Sequence, residues 1–580
     1  MRKQVSTIKT LMKYLGARKY WILVSLVLAL GSVGLSLYIP VLTGQAVDLA
    51  LGRGTVDMAG IGGILLKIGV CAGALALVQW MMSAVNNRLS FDTSRDIRLA
   101  AFRKIAKLPL KTIDAQPLGD IVSRVMSDVE QLSDGVLMGF TQLFTGVITI
   151  LGTLIFMLVK QPLIAAAVVV VTPLSLVVSS FIAKRTYSMF KKQSENRGTL
   201  TAIIDESVSG MKTVKAFSQE ETMRGRFRAA NENLRASALR AIFFSSITNP
   251  ATRFVNSVVY ALVAVIGSLF AITRPLVMSV GDLTCFLSYA SQYTKPFNEI
   301  SGVVAEFQNA LACAARVFEF IAEEEMTPDP AEGASVEGLK GDVQIEDLSF
   351  SYEPDRKLIE HLNLSAPAGR RVAIVGPTGC GKTTLINLLM RFYEPDAGRI
   401  TVDGVDAREY GREALRSAYG MVLQDTWLMS GTVRENIRFG APGATDEQVV
   451  EAAQAAHAHS FIERLPDGYD TMLTEDGGGL SQGQKQLICI ARVMLKTPRI
   501  LILDEATSSI DTRTELRIQD AFQRLMEGRT SFVVAHRLST IRSADVIVAM
   551  KDGRIMEVGS HEELLKKNGF YADLYMSQYR

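Results

Sequence analysis

The sequence predicts a multidomain chain, all-α in its first half and α/β in its second. Three observations carry that expectation. Long uncharged apolar runs recur before residue 320, an acidic stretch with prolines and glycines follows, and short β-rich runs then alternate with helical ones. At 580 residues the chain is too long for one core. The divisions read as 1–320, a linker at 321–340, and 341–580.

In the first half, Trp21–Pro40, Ile68–Val85, Gly135–Val159, Gln161–Ala183 and Phe254–Thr273 each have about the length a bilayer core demands. A sixth run, Leu276 to Ala312, is interrupted by Asp282, Lys295 and Glu299. An all-α six-helix transmembrane domain is therefore expected. Lysines and arginines crowd before the first span, after the second and after the fourth, whereas the opposite loops offer little more than Arg53, Lys160 and Arg274. Positive charge stays inside, so both termini and the long connections 86–135 and 184–240 are expected in the cytoplasm. The expected location is the cytoplasmic membrane, multi-pass, with the lipid bilayer as partner.

The first apolar run is too long for a cleaved signal peptide, and no small-residue cleavage site ends it. Before it, Val5, Ile8, Met12 and Leu15 share a helical face, as in a helix lying in the membrane interface. Each long connection carries a turn at its tip, "KTIDAQPLGD" around Pro117 and "SGMKTVKAFSQE" around Gly210. Something cytoplasmic is expected to grip those tips.

Ser288, Gln292 and Lys295 fall at i, i+4 and i+7, one polar stripe in the sixth span. Ionisable groups at membrane depth are costly and face an interior or a wet cavity. The stripe, with Arg253 and Asn256 in the fifth span, is a candidate substrate pathway; the alternative is that Lys295 snorkels or pairs with a neighbouring span.

A net charge of +3 makes no case for nucleic acid as a partner. The five cysteines are scattered without C-x-x-C spacing, so neither a disulfide framework nor a zinc site is indicated.

In the second half, "RVAIVGPTGCGKTTLINLLM" reads as strand, glycine loop and helix start. It fits G-x-x-x-x-G-K-[ST] through Gly376, Gly381, Lys382 and Thr383. Bare glycines let backbone N–H groups approach phosphates, and the helix N-terminus adds its positive end. The expected nucleotide contacts are Gly376, Pro377, Thr378, Gly379, Cys380, Gly381, Lys382, Thr383 and Thr384. Lys382 would neutralise the β/γ charge and Thr383 would ligate Mg²⁺. Cys380 within the loop is expected to be shielded from alkylation by bound ATP; the alternative is a thiol too buried to react.

"RILILDEATSSID" supplies the complement. Ile500–Leu503 reads as a strand buried on both faces that delivers Asp504 to the metal and Glu505 beside the γ-phosphate. A carboxylate there can polarise the attacking water. "SFVVAH" ends another strand at His536, where ligands bind in an α/β sheet. The second half is thus read as an α/β P-loop nucleotide-binding domain with ATP and Mg²⁺ as cofactors.

Together these pieces resemble the ATP-binding cassette (ABC) transporters, and the resemblance covers nearly the whole chain. The spans and long inner connections are similar to a type IV, exporter-type half-transporter. The resemblance implies that Tyr352 in "FSYEPD" is the adenine-stacking aromatic, that Gln424 joins the metal site to the membrane-domain contact, that Asp511 is the loop aspartate after the metal-binding strand, and that His536 is the switch histidine. "LSQGQ", that is Leu480, Ser481, Gln482, Gly483 and Gln484, corresponds to the family's LSGGQ signature. In the family two cassettes pair head to tail, so the resemblance implies that Ser481 and Gly483 reach the γ-phosphate of ATP held by a partner. A lone copy should be inactive.

Gln482 replaces a glycine, and "TEDGGG" differs from the TEVGERG-like stretch of homodimeric exporters, while Glu505 and His536 are intact. That mixture is similar to the catalytic-site-bearing subunit of bacterial heterodimeric multidrug exporters. A heterodimer is favoured; a homodimer tolerating Gln482 is the alternative. The implied function is ATP-driven export of a hydrophobic or amphipathic substrate, a drug, lipid or peptide. An importer on the same fold, or a regulatory subunit, remains open.

Overall fold

The computed structural model describes residues 2–16, 18–51, 56–273, 278–353, 356–423, 426–474, 477–504, 510–535 and 538–579. The chain forms two compact units, residues 1–107 with 117–324, and residues 108–116 with 325–580. The boundary at 324/325 falls inside the expected linker.

The first unit is helical. Lys19–Ala50, Met58–Ile105 and Glu220–Thr273 are each long and apolar enough to cross a membrane. The third expected span lies on Val129–Met138, a π-helical run Gly139–Phe144 and the apolar helix Thr145–Lys160. Gln161 then turns the chain in an extended conformation, and Pro162 starts the next helix at the position where a missing N–H costs nothing. The fourth expected span is divided into Pro162–Val171 and Pro173–Ser209, because Pro173 cannot donate into the preceding turn.

The sixth expected span is one helix, Val280–Ala322, running through Lys295 and Pro296. Asp282, which reads as an interruption in the sequence, caps its start. Asp282 N–H donates to the Ser279 hydroxyl, Ser279 N–H donates back to the carboxylate, and Lys160 pairs with it at 3.0 Å. The core between first, fifth and sixth spans holds Leu37, Val259, Val263, Phe286 and Tyr289. The Tyr289 hydroxyl in it is satisfied, since Oη donates to the Leu37 carbonyl at 2.8 Å.

The expected apolar face of the N-terminal helix Arg2–Gly16 is divided in the structure. Leu11 and Leu15 are buried with Leu89, Ile97 and Val129, whereas Ile8 and Met12 are exposed. The side chain of Val5 lies outside the described residues. The helix therefore packs one edge on protein and leaves the adjacent edge apolar and open, as an interfacial helix does.

Both tips are short helices bounded by breaks, Leu110–Asp114 and Met211–Ala216. The first belongs to the second unit. Leu110 packs on that unit's core, and the buried Tyr393 donates its hydroxyl to Asp114. The linker is likewise tethered there: Arg412 donates to the Thr327 carbonyl at 2.7 Å and to Asp329 at 2.6 Å.

The second unit is α/β. A four-stranded sheet pairs Ile359–Ala366, Val343–Phe350, Ala397–Val402 and Val405–Asp406, all antiparallel. A six-stranded sheet runs in the order Arg554–Gly559, Val546–Lys551, Arg371–Val375, Thr530–Val534, Ile500–Asp504, Tyr419–Val422. Its inner pairings are parallel and only the Arg554–Gly559 edge is antiparallel. Thr530–Val534 and Ile500–Asp504 are buried along their whole length, as inner strands of a doubly covered sheet are. The register sets Val534 opposite both Ile374 and Asp504, so the phosphate loop and Asp504 leave the sheet at the same edge.

Candidate nucleotide site and membrane cavities

The phosphate loop is built by its glycines. Gly376, Gly379 and Gly381 hold positive φ of 155°, 83° and 101°. At Gly376 there is no room either: an added Cβ would lie 2.2 Å from the Met550 carbonyl oxygen and 2.7 Å from Cys380 Sγ. Gly381 caps the helix Lys382–Leu389, whose first-turn N–H groups have no intrahelical acceptor. Lys382 Nζ curls over the loop and donates to the carbonyls of Gly376 (2.9 Å) and Pro377 (3.0 Å). A cradle of N–H groups with a lysine at its mouth binds a polyphosphate.

The Cys380 thiol is buried, which favours the alternative of a thiol too buried to react over a reagent-accessible one. Burial also pushes its pKa up, outweighing the opposing pull of Lys382. It is a packing atom behind the cradle. Asp504 ends its strand almost fully buried, at 8% exposure. Glu505, His536 and Gln424 lie outside the described residues.

Tyr352 is at the rim of the same unit. Its ring meets Phe350 and Tyr393 edge-on, with centroids 4.9 and 5.1 Å away. Asn387, on the phosphate-loop helix, donates to the Tyr352 hydroxyl at 3.3 Å. The aromatic is thereby tied to the helix that follows the glycine loop. Sequence reasoning missed Tyr393 and Asn387, because nothing in their spacing links them to residue 352.

The stretch Gly477–Gln484 is a second loop leading into a helix. Ser481 caps Gln482–Lys496: its hydroxyl accepts from Gln484 N–H, and its own N–H donates to the Gln484 side chain at 2.9 Å. That leaves the N–H groups of Gln482 and Gly483 without intrahelical partners. Gly483 is a close-approach glycine, since a Cβ there would sit 2.4 Å from Thr514 Cγ2. Asp511 caps the helix Thr512–Met526, accepting from the N–H groups of Arg513 and Thr514. Those backbone donors hold its carboxyl below the usual range. Leu480 is buried in the core beneath the loop. The exposed Gln482 reaches away, donating to Thr426 Oγ1 at 3.2 Å.

Two family models match the chain: the ABC transporter transmembrane region over residues 22–297 and the ABC transporter domain over residues 359–508. A protein of Bacillus subtilis (strain 168), the ABC transporter ATP-binding protein YfiC, is 40% identical over 99% of this chain and 94% of its own length. The chain belongs to the ABC transporter family. A fatty acid ABC transporter ATP-binding/permease protein of Mycobacterium tuberculosis (strain CDC 1551 / Oshkosh) is 42% identical over 92% of this chain and 82% of its own. The structure of a bacterial Atm1-family ABC exporter with ATP bound superposes with a TM-score of 0.81 at 28% identity, covering 97% of this chain and 98% of that one. This ABC transporter is thus an exporter-type half-transporter: a helical transmembrane domain followed by an ATP-hydrolysing cassette that binds ATP.

In the transmembrane domain of this ABC transporter the expected polar stripe divides between two cavities. Ser288 and Gln292 line one of about 350 Å³ together with Ser36, Pro40 and Thr43 of the first span. Gln292 Nε2 donates to the Ser36 carbonyl at 3.4 Å, while its Oε1 is buried without a hydrogen bond among the described residues. Lys295 turns instead to a second cavity of about 390 Å³, which it lines with Arg253, Asn256, Ser257, Tyr260, Ser291 and Thr294. Helical spacing explains the division. Seven residues make nearly two turns, but Lys295 projects beside Ser291, on the flank facing the fifth span.

Proposed function

We propose that this chain is one half of a dimeric, outward-pumping transporter, the partner being a different chain that supplies an intact signature loop. The observation that carries the reading is that one cassette holds two separate N-terminal helix caps suited to phosphate, at Gly381 and at Ser481. In this reading each ATP lies between one chain's phosphate loop and the other's signature, and neither chain completes a site alone. Departure from glycine at Gln482, with Glu505 and His536 retained, favours a heterodimer in which this chain carries the competent carboxylate.

At that site Lys382 and the loop N–H groups hold the β- and γ-phosphates, and Tyr352 stacks on adenine. Glu505 polarises the attacking water and His536 orients it against the γ-phosphate. The donor set fits Mg²⁺: the buried Asp504 carboxylate and the Thr383 hydroxyl are hard oxygen ligands, to which phosphate oxygens would add. Asp504, Thr383 and Gln424 would hold the ion, which neutralises charge developing on the phosphates. Closure of the cassettes on ATP draws the cytoplasmic tips together and turns the membrane cavity outward. Loss of the γ-phosphate contacts then releases them.

The substrate is a hydrophobic or amphipathic molecule. The likeness to a fatty acid transporter favours a lipid over a peptide. Both termini face the cytoplasm of a cell whose cytoplasmic membrane holds the protein. Purification of this chain alone and with the product of an adjacent transporter gene tests the pairing. ATP turnover by the pair, with little by the lone chain, is expected. Full turnover by a verified monomer would end the reading.

A further inference from the structure

We propose that the cavity between the fifth and sixth spans selects the substrate by an anionic head group, seated between Arg253 and Lys295. This inference rests on the transport reading above and adds the chemical class: an acyl-chain amphiphile ending in a carboxylate or phosphate.

The two cations come from different helices and line one cavity. Among the described residues neither has a carboxylate within ion-pair distance, and no acidic side chain lines that space. Elsewhere in the unit several cations are matched: Arg18 with Asp96 at 2.5 Å, Arg316 with Asp128 at 2.6 Å, Lys160 with Asp282 at 3.0 Å. Two like charges sharing a cavity repel, and inside a membrane that cost persists only where something offsets it. A bound anion offsets both at once.

The remaining lining suits such a guest. Ser257, Tyr260 and Ser291 bring hydroxyls to the same space. The Asn256 amide ends in a buried oxygen without a hydrogen bond among the described residues. Half a turn of that amide presents its NH₂ in place of the oxygen. The cavity therefore combines two full positive charges with several donors, the inventory that a carboxylate or phosphate accepts from.

Depth points to an amphiphile in place of a free anion. Lys295 lies about 22 Å along its helix from Val280, and Arg253 about 30 Å from the opposite end at Thr273, at 1.5 Å per residue. Against a hydrocarbon core of about 30 Å, and with the termini inside, both cations sit toward the inner leaflet. The apolar neighbours Phe254 and Val258 are exposed beside them. A head group docked here leaves its chain along that apolar flank.

Binding to the assembled transporter in phosphatidylcholine nanodiscs, without nucleotide, is the test. A fluorescent anthroyloxy fatty acid is displaced by oleate, oleoyl lysophosphatidate, oleyl alcohol or oleylamine. Oleate or the lysophosphatidate should displace it at concentrations at least tenfold below oleyl alcohol. Which of the two acts at lower concentration tells carboxylate from phosphate. The double substitution Arg253→Gln with Lys295→Gln should abolish that preference, and Arg253→Lys with Lys295→Arg should restore it. Equal displacement by oleyl alcohol or oleylamine would overturn the proposal, and so would an unchanged preference in the double glutamine variant. If that variant fails to fold, the wild-type comparison of anion, alcohol and amine decides alone. Binding is read without turnover, so anion selectivity with failed export would overturn the direction of pumping and leave this inference standing. Active ATP hydrolysis with no anion selectivity would do the reverse.

Discussion

The side-chain amide of Gln482 donates to the Thr426 hydroxyl at 3.2 Å, joining the signature loop to the residue two positions beyond Gln424. Both groups are near the surface, so the bond contributes at most about 1 kcal/mol. Its interest is positional. The standard glycine at this place has no side chain with which to make such a link.

Gln482→Gly tests which ATP this signature covers. In the proposed heterodimer it faces the partner's ATP, so turnover at the Glu505 site should stay within about twofold, apart from any small change transmitted by closure. Steady-state ATPase rates of the co-purified pair check this. A tenfold change in either direction would mean that this loop closes over the hydrolysing site.

Glu505→Gln keeps size and polarity while removing the base. Turnover should fall by about 10²–10⁴-fold, the range of general-base contributions. ATP should remain bound and the cassettes closed, readable as retained nucleotide after gel filtration. Wild-type turnover in this variant would remove Glu505 from its proposed role.

Gly376→Ala places a methyl group 2.2 Å from the Met550 carbonyl oxygen in a backbone conformation that disfavours side chains. Strain of about 1–3 kcal/mol is expected, and the loop must shift to relieve it. ATP affinity should fall tenfold or more, measured with a fluorescent nucleotide analogue. Substitution at Gly369, where an added Cβ meets nothing, provides a comparison for positive-φ strain alone.

Cys380 should alkylate slowly whether or not ATP is present, because its thiol is buried beneath the loop. Its raised pKa adds a pH signature. The folded-state proton is retained above the pH at which an unfolded thiol ionises, so the favourable term is complete below that ordinary thiol pKa. It is lost as pH rises through the higher folded value. Labelling measured by mass spectrometry should therefore stay low through pH 8 and jump on denaturation. Rapid native labelling that ATP blocks would restore the exposed placement.

Much of this was legible in the sequence because the chemistry is local. A phosphate loop needs its glycines, lysine and threonine within one short stretch, and Gly376 to Thr384 state the strand–loop–helix outright. Lys19–Ala50, Met58–Ile105 and Glu220–Thr273 were legible for the same reason, since a bilayer sets a length that hydropathy alone records. What the sequence did not show is decided by contacts between distant residues. Asp282 reads as a flaw in an apolar run until Ser279 and Lys160 are seen beside it. Ser288, Gln292 and Lys295 share a helical stripe on paper, yet neighbouring helices cut that stripe into two cavities. Cys380 leaves two readings open in the sequence, shielded by nucleotide or buried, and only the fold shows the thiol packed away. The apolar face of the first helix divides likewise, Leu11 and Leu15 going inward because Leu89 and Ile97 meet them there.

The segment Leu108–Gln116 belongs to the second compact unit although a long stretch of membrane-domain sequence separates it from the rest of that unit. Anyone who excises the ATPase with scissors at residue 325 discards a piece of its own fabric. Such a truncated enzyme should emerge sticky where Leu110 had lain and with Tyr393 deprived of Asp114. Adding a synthetic peptide of that missing loop should return solubility to it.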